Sequence, residues 1–130
     1  MTSTQTQLVA DRIAALTGLT VYCGQVPDLV PCVALVEQPA GPTPDVVDRD
    51  YDYPSFTLYV RGTQPQAVYA QAIAIAATVH RDRHAGGIVL LRCAMPTYAT
   101  QAKTSGGLRV SQCTVQIDSQ FTRNEYYVSN

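Results

Sequence analysis

The chain has 130 residues, a net charge of −1, 46% hydrophobic and 15% charged residues, and a mean hydropathy of −0.01. That composition suits one domain able to bury roughly two-thirds of its unfolded surface without metals or disulfides, and it excludes a disordered or fibrous chain. No stretch concentrates Lys or Arg as phosphate tracking requires, and no run approaches the roughly 18 apolar residues of a membrane span, so nucleic acid and membrane are not expected partners. The start, Met1-Thr2-Ser3-Thr4-Gln5, has no basic segment leading into an apolar run, so a cytosolic chain is expected. So few charges suggest that other subunits cover part of the surface.

Taken in chain order, Leu8, Val9, Ile13 and Leu16 recur at helical spacing with Asp11 and Arg12 on the other side, which predicts an amphipathic helix over 4–17 stopped by Gly18. Leu19 to Cys23 is β-branched and aromatic, and a first strand is expected there, ended by Gly24 and Pro27. Cys32 to Val36 is apolar at every position, as in a strand covered on both faces. From Gln38 to Pro54 the chain carries four prolines, Gly41 and four aspartates without periodicity, so 38–54 is expected to be a long loop. Ser55 to Arg61 alternates, with Phe56, Leu58 and Val60 inward and Thr57, Tyr59 and Arg61 outward.

Thr63 is the expected N-cap of a second helix carrying Pro65 in its first turn and running to about Arg83. Val68, Ala72, Ile75 and Val79 form one stripe, and Tyr69, Ile73, Ala76 and His80 the next. Ala67, Ala70, Ala74 and Ala77 keep the remaining sides small, with Gln71 the polar interruption. Ile88 to Met95 is the next expected strand, and 96–107 reads as a flexible loop. The last strand runs from Leu108 to about Thr122, with Cys113, Val115, Ile117 and Phe121 on one face and Gln112, Thr114, Gln116 and Asp118 on the other. The tail 124–130 has too little apolar content to promise order. The expected fold is therefore α+β: a single domain over 1–130 with one mainly antiparallel sheet of four to five strands and two helices packed on it.

No motif for chemistry completes itself. Asp48, Asp50 and Asp52 alternate like the first ligands of a calcium loop, but the sixth and twelfth positions hold Tyr53 and Tyr59 instead of Gly and Glu. These aspartates and Tyr51 read instead as an acidic loop able to hold a protein partner. His80 and His84 have metal spacing without a third ligand, beside Arg81 and Arg83. Cys23, Cys32, Cys93 and Cys113 are widely spaced and read as reduced core thiols. The pairs Gly86-Gly87 and Gly106-Gly107 lack a P-loop context, and no nucleophile elbow occurs. Arg61 is open to two readings: pairing with a loop aspartate, or reaching a neighbouring subunit. No cofactor, metal site or catalytic residue is expected, and the readings weighed beside an assembly subunit are a small hydrolase or a ligand-binding domain with the long loop as lid.

Three segments carry a resemblance: the N-terminal helix; Pro31 to Pro39 with its Gly41-Pro42 turn; and Tyr53-Pro54-Ser55-Phe56-Thr57-Leu58-Tyr59-Val60-Arg61-Gly62 leading into an Ala-rich helix. With the long final strand near Phe121 to Asn124, the chain resembles the small tail-terminator or minor capsid (tail completion) proteins of siphophages. The resemblance implies a virion protein assembled in the bacterial cytoplasm. It forms a ring, commonly of six copies, on the head-proximal end of the tail tube, stopping tube growth and docking to the head. The implied partners are further copies, the tail tube protein and a head-completion or neck protein; a position on the head side of the neck is the alternative. Arg61, Asp48, Asp50, Tyr51, Asp52, Gln71, Gln112 and Gln116 are the expected interface residues, with the Ala-rich helix and the polar side of the last strand as two unlike faces.

Overall fold

A computed structural model describes residues 4–28, 30–38, 51–82, 88–103 and 109–122. Helix α1, Thr4–Thr17, buries Val9, Ala10 and Ile13. It ends where Gly18 takes a φ of +73° and donates its N–H to the Ala14 carbonyl at 2.8 Å, a left-handed stop that a Cβ would strain. Strand β1, Val21–Cys23, then pairs in parallel with β2, Cys32–Glu37, with Val21 opposite Val33. The first four residues of β2 are buried, as its unbroken apolar run requires.

The sheet is organised around β7, Arg109–Thr122, which pairs with four other strands. On one flank lie β3, Tyr51–Asp52, and β4, Ser55–Gly62, both antiparallel to it. Tyr51 faces Thr122 and Ser55 faces Asp118, so four residues pass on each strand and the register is unbroken. Pro54 is the interruption, because it has no N–H to give the ladder. Its carbonyl still accepts from the Ser119 N–H at 3.1 Å and the Ser119 hydroxyl at 2.7 Å.

The other flank carries β5, Ile88–Cys93, and β6, Thr97–Lys103. Here the register shifts between Ile88 and Leu90, again between Ala99 and Ala102, and by one residue across Ala94 to Pro96, since Cys93 faces Ile117 and Thr97 faces Thr114. The spatial order is β1-β2-β4-β7, with β5 and β6 beyond β7.

Helix α2, Pro65–Val79, packs with α1 over one side of this sheet. Val68, Ala72, Ile75, Ala76 and Val79 meet Phe56, Leu58, Val60, Cys113, Val115, Ile117 and Phe121 in one buried cluster with the α1 face. The strand crosses closely into the helix at Gly62, where an added Cβ would lie 2.7 Å from the Val68 Cγ2. The described architecture is thus α+β, two helices on a mainly antiparallel sheet, as the alternating strands predicted.

Four expectations are corrected. Within the expected loop 38–54, Tyr51–Asp52 is strand, because the β4 register continues past Pro54; 39–50 lie outside the described residues. Within the expected loop 96–107, Thr97–Lys103 is strand, because β7 is long enough to hold a second partner beyond β5; 104–107 lie outside the described residues, as does the tail 124–130. Thr63 is not the N-cap of α2: Gln64 holds that place in extended conformation without a side-chain bond, and Pro65 opens the helix. The helix ends at Val79 instead of Arg83, because His80 turns extended, Arg81 takes a φ of 64° and the chain bonds to β5.

Candidate interaction surface

Alternation along β4 and β7 sends every second side chain away from the helices. Antiparallel register then sets Thr57 beside Gln116, Tyr59 beside Thr114 and Arg61 beside Gln112, all half-buried. The Arg61 Nε donates to the Gln112 Oε1 at 2.6 Å. Of the two readings open for Arg61, pairing with Asp48 or Asp50 concerns aspartates outside the described residues; among described residues its guanidinium forms no ion pair.

A second group of side chains adjoins this pair. Gln38, just past β2, donates to the Thr57 Oγ1 at 2.9 Å and to the Gln116 Oε1 at 2.5 Å, and receives the Gln116 amide on its own Oε1 at 3.1 Å. The Asp118 Oδ1 accepts from the Ser55 hydroxyl at 2.9 Å and from the Gln116 amide at 3.4 Å. Primary amides paired in both directions hold each other's orientation, so the face is a prearranged set of donors and acceptors. Its chemistry is hydrogen bonding.

Gln71 lies apart from this group. On α2 it lines a groove with Leu16, Thr17, Leu19, Ala74, Ile75 and Thr78, a cavity of about 320 Å³ on the helix side of the sheet. The structure therefore brings Arg61, Gln112 and Gln116 together and separates Gln71 from them. Asp52 and Tyr51 sit in β3, opposite Phe121 and Thr122, while Asp48 and Asp50 lie outside the described residues. The outward side of α2 is a third surface: Ala67, Ala70, Ile73, Ala74 and Ala77 are exposed, and no charged residue occurs between Pro65 and Val79.

None of the four cysteines forms a disulfide. Burial, with the Asp118 carboxylate adding to it, pushes the Cys93 thiol up to about 12. Burial also raises Cys113, and it raises Cys32 against the opposing pull of the Arg61 charge. All three stay protonated near neutral pH, the form that neither attacks nor binds soft metals well. His80 uses its Nδ1 to accept the Cys93 N–H at 3.0 Å, and His84 lies outside the described residues.

Sequence reasoning did not find Gln38, Ser55 or the ion pair between Arg12 and Asp82, whose Nε to Oδ2 distance is 2.8 Å. The polar positions of β4 and β7 were signalled by alternation, but Gln38 lies past its strand and Asp82 lies 70 residues from Arg12. No family model matches the chain, and no curated protein matches it.

Proposed function

We propose that this chain is a structural virion protein that forms a ring, of six copies in the reading its sequence resemblance gives, on the head-proximal end of a phage tail tube. There it ends tube polymerisation and offers the surface to which the head docks. The observation that carries this reading is the presence of two chemically unlike surfaces on opposite sides of one filled core: the amide-rich face around Arg61, Gln112 and Gln116, and the charge-free outward side of α2. A ring needs such a pair, because head-to-tail contacts join different patches on each copy. The hydrogen-bonding character of the face supports a role in joining.

The partners in this reading are further copies, the tail tube protein and a head-completion or neck protein. Electron microscopy of particles assembled without the protein tests it. Tails of uncontrolled length support the terminator role; tails of normal length that stay unattached move the protein to the head side of the neck; unchanged virions end the proposal.

A further inference from the structure

The two ends of the β5–β6 ribbon are finished differently. Along β5 the outer edge is closed by the segment leaving α2. The Arg81 N–H donates to the Leu91 carbonyl at 2.8 Å, the Leu91 N–H donates to the Asp82 carbonyl at 3.0 Å, and the Cys93 N–H donates to the His80 Nδ1 at 3.0 Å. Arg12 on α1 grips the same segment through the Asp82 carboxylate. Along β6 no such cover exists among the described residues.

The alternation of bonding along β7 identifies the bare groups. The Ser119 N–H bonds toward the β4 flank, at Pro54, and the Gln116 carbonyl accepts from Ala94 on the β5 flank. Even-numbered residues of β7 therefore bond toward β5 and β6. Thr97 and Ala99, opposite Thr114 and Gln112, direct their backbone groups to β7, and Tyr98 between them turns its N–H and carbonyl outward.

Among the described residues, the far side of the sheet ends in β1. Since β1 runs with β2, β2 against β4, β4 against β7 and β7 against β6, the two terminal strands run in opposite directions. A second copy laid alongside in the same sense would meet β6 with its β1 antiparallel, the better-bonded arrangement. The strands are also level, because register carries one row from Tyr22 through Ala34, Tyr59 and Thr114 to Thr97. Charge fits as well. Register sets Lys103 opposite Arg109, two cations on neighbouring strands, on the side of this row that leads to the end of α1 in the adjoining copy. That helix has no basic residue in its last turn, so the negative end of its dipole is uncompensated there.

We infer that copies of this chain join by strand addition, β6 of one against β1 of the next, extending one antiparallel sheet across the boundary. This rests on the ring reading but moves the contact between copies to the two sheet edges, which leaves the amide-rich face and the outward side of α2 for the tube and the head. Sedimentation velocity of the full chain, alone to millimolar concentration and with purified tail tubes, tests it against Tyr98→Pro and Lys103→Glu, with thermal melting as the control of fold. Tyr98→Pro removes one outward donor and keeps the backbone bonds to β7, losing within the subunit the bond from the Tyr98 hydroxyl to the Ser111 Oγ at 3.4 Å, and is expected to weaken association about tenfold. Lys103→Glu is expected to weaken it about threefold, and it decides the matter if the proline variant fails to fold. Association of unchanged strength in the folded variants overturns the edge contact and leaves the ring standing. A wild-type chain that stays monomeric under both conditions overturns both.

Discussion

The two flanks of β7 are built by different rules. On the β4 flank, ten residue pairs from Tyr51 to Gly62 keep one register across the break at Pro54. On the β5–β6 flank the register moves three times, and the connection depends on contacts outside the ladder: the Arg81–Asp82 segment, the His80 imidazole and the Arg12 ion pair. The first flank is specified by side-chain alternation and core packing, which tolerate no slip because a one-residue shift would turn every side chain to the wrong face. The second flank is held by individual contacts as well as by its ladder, and bulged ribbons of this sort gather at sheet edges.

Core truncation on the regular flank should have the largest effect. Phe56 is fully buried under the helices, and Phe56→Ala is expected to cost about 3–5 kcal/mol in urea unfolding. Leu91→Ala on β5, equally buried, should cost less, nearer about 2–3 kcal/mol, because the shifted ribbon can settle into the space. An equal or greater loss at Leu91 would break the comparison.

Gly62→Ala comes next. With Val68 Cγ2 2.7 Å from the new Cβ, overpacking of about 1–3 kcal/mol is expected. Adding Val68→Ala should recover part of it, and a double-mutant cycle measures the recovery. On the other flank, Arg12→Ala is expected to cost about 1–2 kcal/mol, since the pair is only partly exposed, at 23% and 12% of side-chain surface. Its distinguishing readout is hydrogen exchange: the Leu91 N–H should lose protection while the β4–β7 amides keep theirs.

The smallest effect at neutral pH is the thiol linkage. Cys93 is raised in the folded chain, from 9.0 to about 12, so its contribution is complete below pH 9 and is lost as pH climbs from 9 toward 12. The urea midpoint should therefore decline as pH rises from about 9, and Cys93→Ala should show a shallower decline over the same range. A parallel decline in both proteins would remove Cys93 from the account.

Legibility in sequence followed the same division. The α1 stripe, the alternation of Phe56, Leu58 and Val60 and that of Cys113, Val115 and Ile117 could be read directly, because a buried face writes its period into the chain. Three of the expected interface residues, Arg61, Gln112 and Gln116, which the structure places on one face, were readable as the complement of that period. β6 was not readable. Thr97-Tyr98-Ala99-Thr100-Gln101-Ala102-Lys103 lies at the sheet edge and has a bulge in its middle, so no apolar alternation marks it. β3 is two residues long and exists only because β7 extends past Asp118. The Arg12 to Asp82 pair joins positions 70 apart, a proximity set by tertiary packing alone.

The position of β7 in the chain also shapes how the protein comes into being. Until Arg109–Thr122 has been synthesised, β4, β5 and β6 have no common partner, and the contacts that finish the sheet join residues far apart in the order of synthesis. Synthesis thus brings the strand on which β5 and β6 depend after them, and until it has emerged nascent chains cannot present a completed sheet edge to one another.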